Sequence, residues 1–300
     1  MDMTQNKCCR HGANLRRRRR RRRKILRSII FSCSIIAVAV FVAVGSSMIR
    51  SGDGRTNRYD VEAGNNTYDN AVIENSKISE KNKIQNNQSM LDDIMNSTQY
   101  PKQLKDLALK NEEALEFVYD YPTEHVKEHT IDLTEEASID SVPLFVQWDK
   151  RWGYEKYSGN FFAASGCGPT TLSMVVVYLT HNSDASPLAV AKYSKEAGYS
   201  VDGSGSSWTL ISEGCMHYGV KAKAVALDES RMKAELDEGH PIVVNVGPGD
   251  FTDTGHFMVI TGYDDEGFSI NDPNSIEKSG KRWLFKNISS QIRAVWSMYV

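Results

Sequence analysis

Three side chains in this sequence have the types and the order needed to transfer an acyl group to sulfur. They are Cys167 in the run Ser165-Gly-Cys-Gly-Pro-Thr170, His256 after Gly255, and Asp272 in Asn271-Asp-Pro273. A thiolate attacks a carbonyl, an imidazole takes and returns the proton, and a carboxylate on the far ring nitrogen fixes the tautomer and favours the imidazolium. Each has a plainer reading when taken alone: a buried core thiol beside a glycine-rich helix cap, a histidine satisfied by a backbone carbonyl, an ordinary Asp-Pro turn. Together they favour chemistry.

Positioning these groups calls for particular local structure. Pro169 fits the first turn of a helix, and Leu172, Met174, Val175, Val176 and Leu179 continue it to about Thr180, which puts Cys167 at the N-terminus. There the unpaired N–H groups and the positive end of the helix dipole favour the thiolate over the thiol. Gly166 and Gly168 leave room for the backbone to approach a substrate carbonyl. His256 opens an apolar run, Phe257 to Ile260, so it stands at the rim of a buried strand. Asp272 closes the next one.

Around these residues the expected elements are a strand at Val142–Gln147, helices at 187–197, 208–218 and 229–238, and strands at 221–227, 242–246, 256–263, 268–270, 281–285 and 294–299. Helices first and a mostly antiparallel sheet afterwards make the domain from Ser141 to the C-terminus α+β.

The rest of the chain is organised by charge. Residues 1–50 hold thirteen Lys or Arg against one Asp, so a chain of net charge −2 carries about −14 after residue 50. Residues 1–27 read as a basic cytoplasmic tail with an unbroken Arg16–Arg23 run. The uncharged residues 28–49 are long enough for one transmembrane helix. The basic flank then stays inside and the remainder lies outside, which anchors the chain in the cell membrane. A rival is a cleaved signal peptide ending near Ala43-Val44-Gly45. The membrane segment accounts for the arginine run, and the acidic outer part argues against nucleic-acid binding.

Residues 50–97 are rich in Asn, Ser, Asp and Lys and read as a disordered linker. Residues 98–140 read as a helical stem, with Leu104, Leu107, Ala108, Ala114, Leu115 and Val118 at helical spacing up to a break at Tyr121-Pro122. His125 and His129 lie four apart but without a metal-binding pattern, and the other histidines are scattered. No metal or other cofactor is expected. Of five cysteines, only Cys167 and Cys215 lie beyond the membrane segment. That is no disulfide framework, and Cys215 reads as a small core residue.

The blocks Val142 to Trp152, Ser165 to Thr170, Gly255-His-Phe-Met-Val-Ile-Thr-Gly-Tyr-Asp264 and Asn271-Asp-Pro273 together resemble the C39-like group of papain-fold cysteine peptidases, over about residues 141–275. The resemblance implies a papain-like fold with Cys167 as nucleophile, His256 as base and Asp272 as orienter. It also implies Gln147 as oxyanion-hole donor beside the backbone N–H of Cys167. Members of the family that mature double-glycine leader peptides are commonly fused to a transporter and act on its cytoplasmic side, whereas this chain points its domain outward. The expected function is a membrane-anchored thiol hydrolase cleaving peptide or amide bonds. The alternatives are a peptidoglycan-peptide hydrolase of the same chemistry and a non-catalytic module that binds peptide or cell-wall fragments.

Overall fold

The computed structural model describes residues 66–300, with side chains from Glu80 onward. Residues Asn70–Val300 belong to one unit. The basic tail, the proposed transmembrane segment 28–49 and the alternative cleavage site lie outside the described residues. Among the described residues, no helix is long and apolar enough to cross a membrane.

The expected disordered linker is corrected over its second half, where a 31-residue helix, α1 (Asn66–Asn96), forms. Its polar composition hides it. It contains no Gly or Pro to interrupt it, and its last turns contribute Met90, Leu91 and a fully buried Ile94 to the stem core.

The stem continues as α2 (Lys102–Lys110), a 3-10 turn at Glu112–Ala114, α3 (Leu115–Tyr119), α4 (Tyr121–Glu124) and α5 (Thr134–Ser138). Leu104, Leu107 and Ala108 bury one face of α2, the i, i+3, i+4 stripe that a helix needs to pack. They meet Phe117, Val118, Phe161 and Ala163 in a small core. The helical run breaks first at Asn111 and again between Tyr119 and Tyr121, beside the expected Tyr121-Pro122 break. The Asn111 side chain accepts from Glu113 N at 3.0 Å and starts the 3-10 turn. Pro122 occupies the first turn of α4, where its missing N–H costs nothing.

The remainder runs through a short hairpin of β1 (Lys156–Tyr157) and β2 (Asn160–Phe161), then α6 (Phe162–Ser165), α7 (Cys167–Thr180) and α8 (Pro187–Glu196). A second hairpin, β3 (Ser200–Val201) with β4 (Gly205–Ser206), precedes α9 (Thr209–Ser212) and a 3-10 segment at Gly214–Tyr218. Then follow β5 (Lys221–Ala224), α10 (Glu229–Asp237), β6 (Ile242–Val246), β7 (His256–Asp264) and β8 (Gly267–Asn271). The chain finishes with α11 (Ile276–Ser279), β9 (Arg282–Trp283), α12 (Phe285–Ile288) and β10 (Ile292–Tyr299). Side-chain caps set two of the helix starts: Ser186 Oγ accepts from Ala189 N at 3.2 Å, and Asp228 Oδ1 from Arg231 N at 2.9 Å.

One antiparallel sheet carries the domain, in the order β5-β10-β6-β7-β8-β9. Its period of two separates Phe257 and Val259, which pack with Leu172, Val175 and Val176 of α7, from Met258 and Ile260, which pack with Met232 and Leu236 of α10. With both faces covered, all five residues of β6 are buried. The domain is therefore α+β with an antiparallel sheet, as expected.

Three local expectations are corrected. Val142–Val146 form no strand and pair in no ladder, and Gln147 opens a turn. Asn271 Nδ2 donates to Val142 O and Pro143 O at 3.1 and 3.0 Å, so a side-chain amide substitutes for a neighbouring strand. The helix expected over 208–218 divides near Gly214, where an added Cβ would come within 3.1 Å of Tyr199. The strand expected over 281–285 keeps only Arg282 and Trp283 before α12 begins.

Candidate active site

The two chain segments that meet at Cys167 reach it from opposite sides. The cysteine starts α7, and Gly166, just before it, ends α6. Opposite lies the first residue of β7, His256, with Asp272 following the end of the neighbouring strand β8. Asp272 is held there by an isolated bridge to Ser275 and by Ser279 Oγ, which accepts from its N–H at 2.9 Å.

The contacts form a chain of three groups. His256 Nε2 donates to Asp272 Oδ1 at 2.7 Å, with the carboxylate fully buried and the imidazole nearly so. On its other edge the imidazole lies against the Cys167 sulfur, and the two groups couple electrostatically. With Nε2 committed to the carboxylate, Nδ1 is the nitrogen left for sulfur. The structure thus brings together all three residues that the sequence singled out.

Electrostatics favour the charged pair. Burial alone would push His256 down, but the Asp272 carboxylate and the Cys167 sulfur outweigh it and raise the imidazole to about 10. Burial would likewise raise the Cys167 thiol. The His256 imidazolium and the backbone N–H groups of Phe257 and Gly168 overcome that, leaving the thiol below its ordinary value. Both shifts favour a thiolate beside an imidazolium. Cys215 is the reverse case: it is fully buried, its thiol is pushed up to about 11, and neither it nor Cys167 is in a disulfide.

Gln147 lines the same cavity as Cys167 and His256. Its Nε2 donates to Ala163 O at 2.7 Å and, at the long distance of 3.3 Å, to Asn274 Oδ1. Its N–H donates to Pro273 O at 2.7 Å, so the residue is tied to the loop that carries Asp272. Its buried Oε1 finds no partner among the described residues.

The glycines flanking the cysteine have a role other than the one read from sequence. A Cβ on Gly166 would fall 2.5 Å from the Phe162 ring, and one on Gly168 would fall 2.5 Å from Ser206 Oγ. The space beside them is filled from within the protein.

Two cavities of about 480 and 710 Å³ flank the sulfur and share Asn160, Ala164, Cys167, Thr254 and Gly255. The smaller is walled by Phe251, the Asp250 to Thr254 loop and, on its far side, residues of α2. The larger is lined by Trp208, Asn245 and Arg293 among others. A chain laid across Cys167 has room on both sides.

Sequence reasoning did not single out Asn274. Its N–H donates to Asp272 Oδ1 at 2.8 Å, the local turn that an Asp two residues earlier favours, so the Asp-Pro-Asn run carried a usable signal.

A family model described as the Peptidase C39 like family matches residues 139–300. Among solved structures, the peptidase domain of Streptococcus ComA, a bi-functional ABC transporter involved in a quorum-sensing pathway, is similar at 19% identity. Its TM-score is 0.38, over 53% of this chain and 96% of that one. A structure from Bacillus anthracis assigned as a C39-like peptidase is similar at 18% identity and TM-score 0.33, over 53% and 95% of the two chains. No curated protein matches this chain.

Proposed function

This chain belongs to the Peptidase C39 like family, and from that premise we propose that it is a cysteine peptidase acting through an acyl-enzyme on Cys167. The observation that carries this reading is the continuous contact from Asp272 through His256 to Cys167, in a cleft open on both sides of the sulfur.

In the first step the Cys167 thiolate attacks the scissile carbonyl carbon, and the carbonyl electrons move to oxygen. The backbone N–H at Cys167 and the Gln147 amide, exchanging its long bond to Asn274, stabilise that oxyanion. The His256 imidazolium gives its Nδ1 proton to the departing amine as the C–N bond breaks, leaving a thioester. The neutral imidazole then takes a proton from water, whose oxygen attacks the thioester. Collapse of this intermediate releases the carboxylic product and returns the thiolate and imidazolium. Asp272 keeps Nε2–H engaged throughout, so the ring neither flips nor changes tautomer.

The substrate class is a peptide, with cell-wall peptide as one candidate. The reading places the domain outside the membrane, held by a helix at 28–49, with the basic residues 1–27 in the cytoplasm. The test treats the full chain with a cysteine-directed acylating probe beside Cys167→Ala and His256→Ala. Stable labelling of the wild type, abolished in the first variant and strongly slowed in the second, supports the peptidase. A folded wild type that labels no faster than a small free thiol rejects it in favour of a binding module.

A further inference from the structure

Upstream of the family-matched residues, the stem reaches directly into the site. Asn111, 9% exposed at the end of α2, donates its side-chain amide to Asn274 O at 2.9 Å and to Asn274 Oδ1 at 3.0 Å. Asn274 is the residue on which two members of the site converge: its N–H donates to Asp272 Oδ1, and its Oδ1 accepts from Gln147 Nε2. Two residues further along the stem, the Glu113 carboxylate accepts from the backbone N–H groups of Ile276 and Glu277, at 2.7 and 3.1 Å, and from the Ser275 hydroxyl. It therefore pins the start of α11, immediately after the loop that bears Asp272. Gln103, Leu107 and Lys110 of α2, with Asn111, face the cavity beside Cys167.

We propose that the stem is a working part of the active site. In this inference, which rests on the peptidase reading above, Asn111 is a positioning residue that acts through Asn274 to hold Asp272 and Gln147 in register with Cys167. The chemistry of the contact supports this. An asparagine amide supplies two N–H donors in fixed geometry, and here both serve one residue. A backbone carbonyl and a side-chain oxygen held by a single amide leave Asn274 little rotational freedom, so its N–H stays aimed at Asp272 and its Oδ1, shared by Asn111 and Gln147, stays in place. The bond to Gln147 is the longest of the set, and it is the one that must yield when an oxyanion forms.

Two reactions of the same sulfur separate this role from a merely structural one. Alkylation by iodoacetamide needs the thiolate but no oxyanion hole, whereas acylation by p-nitrophenyl acetate needs both. In the full chain, Asn111→Ala is expected to slow acylation about tenfold, a fraction of the ~100-fold or more that deleting an oxyanion donor costs. It is also expected to move the alkylation pH profile to higher pH, as Asp272 loses its partner's support. The control is Tyr154→Phe, which removes the 2.8 Å bond from the Tyr154 hydroxyl to Phe117 O and so loosens stem docking away from Asn274. It is expected to leave both reactions unchanged at temperatures where the protein is folded.

A folded Asn111→Ala protein with wild-type acylation and alkylation overturns the inference, as does an equal loss in Tyr154→Phe. A wild-type thiol that titrates like free cysteine overturns the peptidase reading itself, and that result is distinct from either of the others.

Discussion

Asp272 holds His256 by one oxygen only: Oδ1 accepts from Nε2 at 2.7 Å, while the buried Oδ2 has no hydrogen-bond partner among the described residues. The same Oδ1 also accepts from Asn274 N, so both of the carboxylate's hydrogen bonds converge on a single atom. An unpaired buried oxygen costs free energy. Asp272→Asn is expected to lower acylation of Cys167 by roughly 10²–10⁴-fold, because a neutral amide no longer favours the imidazolium. Stopped-flow acylation by an activated ester, with circular dichroism to establish folding, measures it. A loss below threefold would remove Asp272 from the mechanism.

The shifts at Cys167 and His256 set a pH profile. An ordinary thiol becomes reactive as pH rises through about 8.5. Cys167, held below its ordinary value by His256, is expected to show that rise at lower pH than an ordinary thiol. His256→Ala removes the cation and leaves burial opposed only by the backbone N–H groups of Phe257 and Gly168, so the rise moves to higher pH. Peptide turnover also needs the imidazolium proton and is expected to fall as pH rises through about 10. Iodoacetamide rates across pH 5–11 check the first two statements, and a wild-type rise near 8.5 contradicts them.

Gln147→Ala separates stabilisation of an oxyanion from activation of the thiol. Acylation is expected to drop on the order of 100-fold, the size of one lost donor, while the alkylation rate at pH 7 changes less than twofold. Equal losses in both reactions would instead identify Gln147 as a structural tie between Ala163 and the Asp272 loop.

Gly168→Ala sets helix propensity against packing. Alanine favours a helix by about 1 kcal/mol, but the added carbon would lie 2.7 Å from Ser206 Cβ and 2.5 Å from its Oγ. Overpacking of this kind costs about 1–3 kcal/mol, and it also strains the 2.6 Å bond between Ser206 and Tyr157. Net destabilisation is expected in urea unfolding, with recovery when Ser206→Gly is added. No recovery would mean that the clash lies elsewhere.

How far the site could be read in the sequence depended on the range of each contact. Cys167, His256 and Asp272 announce themselves because their neighbours Gly166, Pro169, Gly255 and Pro273 mark the ends of elements, where chemistry sits. The buried strands Ile242–Val246 and His256–Asp264 were legible for a similar reason, as apolar runs between breakers. Gln147 had no such signal of its own and was singled out only through family resemblance. Asn111 and Glu113 were invisible because their partners lie more than 160 residues away, and a polar residue in a stem reads as solvated. The helix at Asn66–Asn96 was hidden for a related reason: Met90, Leu91 and Ile94 near its end carry the packing seen from Glu80 onward, and composition averages over the whole segment.

The position of β10 has a temporal consequence. Ile292–Tyr299 is the last strand in sequence, yet it lies inside the sheet between β5 and β6. As the chain leaves the ribosome, Cys167 is made well before His256, Asp272 and the strand that joins the two halves of the sheet. Trp296 and Met298 of that strand belong to the core against which Cys167 packs, so the surroundings of the sulfur are complete only once it is in place. The last strand to be synthesised thus completes both the sheet and the core behind the nucleophile.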